Sequence, residues 1–80
     1  MRILQLDNSA MVDRGLRVMR GPDWKWDEQD GGEGHLGTLE FHRSQQRAQV
    51  RWDNGTVNVY RAGHGGNFDL RIVDNATIGR

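Results

Sequence analysis

The dipeptide Asn54-Gly55, set in "WDNGTVNV", constrains this chain more than any other feature. An Asn-Gly pair between two alternating runs signals a two-residue type I′ hairpin, because both central residues of that turn need positive φ. Such a loop places Asp53 opposite Thr56, Trp52 opposite Val57, Arg51 opposite Asn58 and Val50 opposite Val59. Val50, Trp52, Val57 and Val59 then share one face, and a slip of one residue would turn a whole set to solvent. Thr56, Asn58 and Tyr60 are expected on the outer face, with Tyr60 near Arg51.

Period-two alternation recurs along the rest of the chain. "LRVMR" sets Leu16 and Val18 against Arg17 and Met19, and "LGTLEFH" sets Leu39 and Phe41 against Thr38, Glu40 and His42. "RAQVRW" turns Ala48, Val50 and Trp52 inward, and "LRIV" closes the pattern with Leu70 and Ile72 facing in. The best helix-period candidate, 44–50, is too short and runs into a strand pattern. Five short strands, joined by segments rich in the 11 glycines, indicate an all-β fold: a small, strongly bent five-stranded barrel. A chain of 80 residues is one domain with a limited core. Residues 1–13 read as a flexible leader, 14–73 as the domain and 74–80 as a linker.

Several function classes are disfavoured. No apolar run approaches a membrane span, and the first residues lack a signal-peptide core or a myristoylation start. Cysteine is absent, which removes disulfides and thiolate chemistry and fits an intracellular protein. Net charge is zero, yet residues 21–34 hold five acids against one lysine while both flanks are basic. That distribution argues against nucleic acid and favours a basic or polar peptide partner. "GEGHLG" fits the dinucleotide pattern by letter, but no strand precedes it and no helix follows. The acids at 27–33 miss the spacing of a calcium loop. His35, His42 and His64 are too dispersed for zinc. Neither Ser9 nor Ser44 sits in a nucleophile context. No cofactor and no catalysis are expected of this chain.

The most informative segment is "GPDWKWDEQDGGEGHLG", residues 21–37. In an extended loop Trp24 and Trp26 point to one side and Lys25 to the other. Tryptophan supplies apolar bulk that the few aliphatic residues do not, so at least one ring is expected to cap the barrel. The same rings, flanked by acids, would also make a platform for a peptide.

The segments "RVMRGPDWKW…QDGGEGHLGTL", "VRWDNGTVNVYR" and "GHGGNFDLRI", in that order from Gly15 to Val73, resemble the MIB/HERC domain of mind bomb-type and large HECT-type ubiquitin ligases. The tail "DLRIVDNATIGR" is similar to the end of the first of two such repeats, ahead of a zinc-binding ZZ finger. The resemblance implies an SH3-like five-stranded barrel with a long loop between its first two strands. It further implies a non-catalytic substrate-recognition module in a cytoplasmic RING-type E3 ligase. That ligase would bind the cytoplasmic tails of the Notch ligands Delta and Jagged for ubiquitination and endocytosis, at the plasma membrane or on endocytic vesicles through its partners. The ZZ finger and second repeat would be its neighbours, with no nucleic acid and no membrane insertion. Expected peptide contacts are Trp24, Trp26, Asp30, Glu33, Tyr60 and Arg61. Two alternatives stand beside this: a packing module within the ligase, and a Tudor-like reader caging methyl-lysine with Trp or Tyr. The chain departs from the family pattern at Asp27, where Gly is usual, and at His64, where an aromatic is common and Phe68 stands in.

Overall fold

In a computed structural model, which describes residues 2–6 and 15–73, the chain folds as one antiparallel sheet. Its strands are β1 (Arg2–Ile3), β2 (Arg17–Arg20), β3 (Gly37–Arg43), β4 (Arg47–Trp52), β5 (Val57–Arg61) and β6 (Leu70–Ile72), ordered β1-β6-β2-β3-β4-β5. The all-β class is as expected, but there are six strands and the barrel is not closed by strand pairing. The sheet curls until the end of β5 meets the approach to β6, through the bridge between Ala62 and Phe68 and a bond from Asp69 N to Arg61 O of 2.9 Å.

The additional strand comes from the segment expected to be a leader. Arg2 and Ile3 pair with Ile72 and Arg71, Leu4 N donates to Leu70 O, and Leu6 N donates to Ala62 O. Leu4 and Leu6 are buried in the core. Their two-residue spacing in "ILQL" is the strand signal, and burying two leucines offsets the entropy of ordering so short a segment. Residues 7–14 and 74–80, including the expected linker, lie outside the described residues.

The hairpin forms, with its register moved by one. Gly55 N bonds Trp52 O and Trp52 N bonds Thr56 O, both at 2.8 Å, enclosing residues 53–55. Of the central pair only Gly55 has positive φ, at 96°. This is a three-residue loop, a type I turn closed by a left-handed glycine, rather than a type I′ turn. Arg51 therefore faces Val57, and Val50 faces Asn58. Ala48, Val50 and Trp52 are buried as expected, but Val57 is 39% exposed and Val59 lies half-buried on the outer face. Tyr60, expected outside, is 1% exposed and packs on Trp52. The observed register buries a large ring whose hydroxyl finds partners, where the expected one would bury two valines.

A second irregularity lies in β3. Leu39 faces Val50 while Phe41 faces Gln49, so Glu40 is the extra residue of a bulge. The bulge inverts the alternation: Leu39 is buried, whereas Phe41, expected beside it, is 43% exposed. His42 turns inward opposite Ala48, and its buried Nε2 has no hydrogen-bond partner.

The core gathers Leu4, Leu6, Val18, Leu39, Ala48, Val50, Trp52, Tyr60, Ala62 and Leu70, with Leu16, Trp24, Trp26 and Ile72 packed on it. Gly37 sits under Trp52, and a Cβ there would lie 2.6 Å from Trp52 Cε3 and 2.8 Å from Val50 Cγ1. Gly37→Ala is expected to cost about 2 kcal/mol through overpacking, read as a lower denaturation midpoint at unchanged slope.

Candidate functional site

The loop of residues 21–36 folds back over the inner face of β4 and β5. Trp24 stacks on Tyr60 with ring centroids 5.1 Å apart and meets Trp52 edge-on at 5.5 Å. Trp26 meets Tyr60 edge-on at 6.1 Å. Both tryptophans therefore point inward, and both cap the core. The Arg20 guanidinium lies 5.3 Å from the Trp24 ring centroid, while Arg61 and Lys25 lie 5.7 and 5.1 Å from that of Trp26. Such contacts add cation–π attraction to the packing.

Two buried aspartates latch the loop. Asp69, fully buried, accepts Arg61 Nε at 2.9 Å on Oδ2 and Arg61 Nη2 at 2.7 Å on Oδ1. Its Oδ2 also accepts the Arg61 amide at 2.9 Å and Trp26 Nε1 at 3.0 Å. One carboxylate thus joins β5, the approach to β6 and the tryptophan loop. Asp30, 1% exposed, accepts Arg20 Nε at 2.7 Å and Arg20 Nη2 at 2.8 Å, and its Oδ1 also accepts Gly32 N at 2.9 Å. Burial works against its ionisation, but the bonds from Arg20 and Gly32 outweigh that and hold the carboxyl below the usual range. Burial also pushes the Tyr60 phenol up, against the opposing bond from Trp52. Tyr60 Oη accepts Trp52 Nε1 at 2.9 Å and donates to Gln29 Oε1 at 2.7 Å.

Asp27, where the resemblance led to an expectation of glycine, has a φ of 53°. The left-handed turn aims its carbonyl back at Trp24 Nε1, at 2.9 Å, and at Arg20 Nη2, at 3.1 Å. Aspartate tolerates this conformation better than most residues.

Of the six expected contacts, the structure brings Trp24, Trp26, Asp30, Tyr60 and Arg61 into one interlocked cluster. Glu33 stands apart and exposed. Asp30, Tyr60 and the Nε and Nη2 of Arg61 are bonded within the chain, so these residues position the site. Lys25, Asp27, Glu28 and Glu33 are the exposed charges of the loop.

Two features carried no reading in the sequence, and a third, an edge for strand addition by a peptide, was expected without its strand being identified. Gln29 pins the loop to the hairpin, accepting Asn58 Nδ2 on Oε1 and Asn54 Nδ2 on its carbonyl, each at 3.3 Å. Asp69 was visible within "NFDL" but carried no assigned role. The third is an open strand edge. Hydrogen bonding alternates along β5, and Arg61 turns its amide and carbonyl away from β4 to meet Asp69. By the same alternation Val57 and Val59 direct their backbone groups outward. Among the described residues Val59 N is covered only by the neighbouring Asn58 Oδ1, at 2.9 Å. The edge is two residues of open backbone, bordered by the acidic loop that Gln29 holds in place. Among the described residues no group of His, Cys, Asp or Glu is placed to hold a metal ion.

Asp30 supplies stability that is present above the unfolded carboxylate pKa, near 4, and is lost as pH falls through its lower folded value. The denaturation midpoint is expected to drop between about pH 5 and pH 2. Asp30→Asn should flatten part of that slope while costing about 3 kcal/mol at pH 7, because Arg20 loses its buried partner. Asp27→Gly is expected to shift stability by less than about 1 kcal/mol, whereas Asp27→Ile should cost about 2 kcal/mol for a left-handed β-branched residue. Urea titrations of the variants check both.

Residues 15–74 match the Mib_herc2 family model. The chain is 55% identical over 70 residues to the E3 ubiquitin-protein ligase mind-bomb of Drosophila melanogaster, an alignment covering 88% of this chain and 6% of that protein. It is 43% identical over 83 residues to the E3 ubiquitin-protein ligase MIB2 of Gallus gallus, covering 95% of this chain and 9% of the relative. HERC2 of Mus musculus, another E3 ubiquitin-protein ligase, is 43% identical over 67 residues, covering 82% of this chain and 1% of its own length. The chain thus corresponds to a small part of each of these ligases. It belongs to the Mib_herc2 family, a domain carried by E3 ubiquitin ligases.

Proposed function

We propose that this chain is the substrate-recognition module of a mind bomb-like E3 ubiquitin ligase and takes no part in the transfer chemistry. The observation that carries this reading is the open edge at Val57 and Val59 beside a fixed acidic loop. An extended peptide adds to such an edge through main-chain bonds, and side chains on alternate positions supply specificity. Asp27, Glu28 and Glu33 favour a basic segment near the start of β5. Each of the two buried aspartates is bonded to an arginine and acts as a structural acceptor, which supports a module without acid or base chemistry.

Family membership and the similarity to E3 ubiquitin ligases support placement within a ligase. The family resemblance extends this to the cytoplasmic tails of Delta and Jagged, to action at the plasma membrane or endocytic vesicles, and to a neighbouring ZZ finger and second repeat. A packing role within the ligase is a second reading, favoured by the exposed Ile3, Phe41 and Val57. A methyl-lysine cage has less support. Trp24, Trp52 and Tyr60 pack on one another, and Lys25 and Arg61 already lie over Trp26.

Titrating the chain with a Delta or Jagged tail peptide tests the reading. Val57→Pro removes an outward N–H while leaving the ladder to β4 intact. It is expected to weaken binding about tenfold, the scale of one or two lost hydrogen bonds, with the fold unchanged by circular dichroism. Unaltered affinity in Val57→Pro would remove strand addition, and no binding by the unsubstituted chain would favour the packing role.

A further inference from the structure

The outer face carries a second polar feature that strand addition does not use. Arg17, Arg20, Arg51 and Arg61 are each paired with an acid, respectively Asp53, Asp30, Glu40 and Asp69. Arg43 and Arg47 are not: among the described residues neither makes an ion pair, yet they stand directly opposite each other across β3 and β4. Like charges facing one another on adjacent strands repel, and an anion between them would reverse the sign of that interaction. A groove of about 320 Å³ lies at this point, lined by Arg43, Ser44, Arg47 and Val59.

The rim of the groove is held in place. The turn between β3 and β4 places Gln45 and Gln46 at φ of 63° and 57°, without a glycine. Three tertiary bonds support that conformation. Gln46 Nε2 donates to Leu6 O at 2.6 Å, Ala62 N donates to Gln46 O at 2.9 Å, and Gln45 O lies 2.9 Å from His64 Nδ1. Arg47 Nε is anchored on Ser44 O at 3.1 Å, which fixes the side chain and leaves its terminal nitrogens available. A groove rimmed by two arginines and a serine hydroxyl, on a turn that need not reorganise, suits a compact dianion.

We propose that this groove binds the phosphoryl group of a phosphorylated peptide side chain. Two arginines match the charge of one phosphoryl group. An extended polyanion would instead need a broad basic surface, and this chain has a formal net charge of zero with an acidic loop. Val59 reaches the groove from β5 and offers apolar contact to residues flanking the phosphorylated one. The inference does not rest on strand addition at the β5 edge.

The test is calorimetric titration of the chain with a short Gly/Ala peptide carrying one phosphoserine, beside its unphosphorylated counterpart and inorganic phosphate. The phosphopeptide is expected to bind about tenfold or more tightly than the unphosphorylated peptide, the scale of hydrogen bonds to a charged group. Inorganic phosphate should compete with it, and the Ser44 and Val59 amide resonances should shift. The double variant Arg43→Gln, Arg47→Gln should bring the two peptides to equal affinity. Arg71→Gln, which removes an arginine elsewhere on the sheet, should preserve the difference. Equal affinities in the unsubstituted chain overturn the proposal, as does a phosphate preference surviving the double variant. Binding to phosphatidylserine vesicles that the double variant abolishes, with none to the phosphopeptide, also overturns it and assigns the groove to a lipid surface.

Discussion

The carboxylate of Asp69 is the point on which the rest of the structure depends. It is fully buried, and a buried charge is tolerated only when it is paired and its oxygens are hydrogen-bonded. Arg61 meets that requirement with its guanidinium and its own amide, and Trp26 completes it through the indole N–H. The end of β5, the entry to β6 and the tryptophan loop are joined at one side chain. It acts beside the Ala62–Phe68 bridge and the bond from Leu6 N to Ala62 O, which also hold the two ends of the sheet near each other. Asp30 and Arg20 repeat the device at the other end of the loop. Both latches lie beside aromatic rings, so the ion pairs and the Trp24, Tyr60 and Trp52 packing exclude water for each other.

This arrangement divides the molecule by function. The aromatic loop, which by composition invites a ligand, is spent on closing the core. What remains open is backbone at β5, flanked by acids that form no ion pair among the described residues, and a basic groove on the outer face. A small domain with a limited core has few side chains to spare, and with the large rings used internally the proposed recognition falls to the edge. Main-chain recognition also tolerates variation in the bound segment, because side chains supply only part of the binding.

Much of the fold was legible. The alternation in "RAQVRW", "LRVMR" and "LRIV" assigned inward faces that the structure keeps at Ala48, Val50, Trp52, Val18 and Leu70. The departure from the resembled pattern at Asp27 was visible, and the structure gives that residue a left-handed conformation. What escaped were departures from strict period two. A bulge at Glu40 and an added loop residue at the hairpin each shift the phase by one, and neither changes the local composition. Those shifts moved Phe41, Val57 and Val59 outward and Tyr60 inward. The role of Asp30 was hidden for a related reason. An acid in a glycine-rich loop looks solvated until its partner, Arg20 on β2, is brought beside it.

The central claim is that the tryptophan loop is latched shut while the β5 edge is free to bind. A ¹⁵N chemical-shift titration with a Notch-ligand tail peptide reads both at once, because indole and backbone N–H groups are resolved together. The account predicts that the Val57 and Val59 amides move while the Trp24 and Trp26 indole signals stay in place. Movement of those indoles with a silent β5 would contradict it.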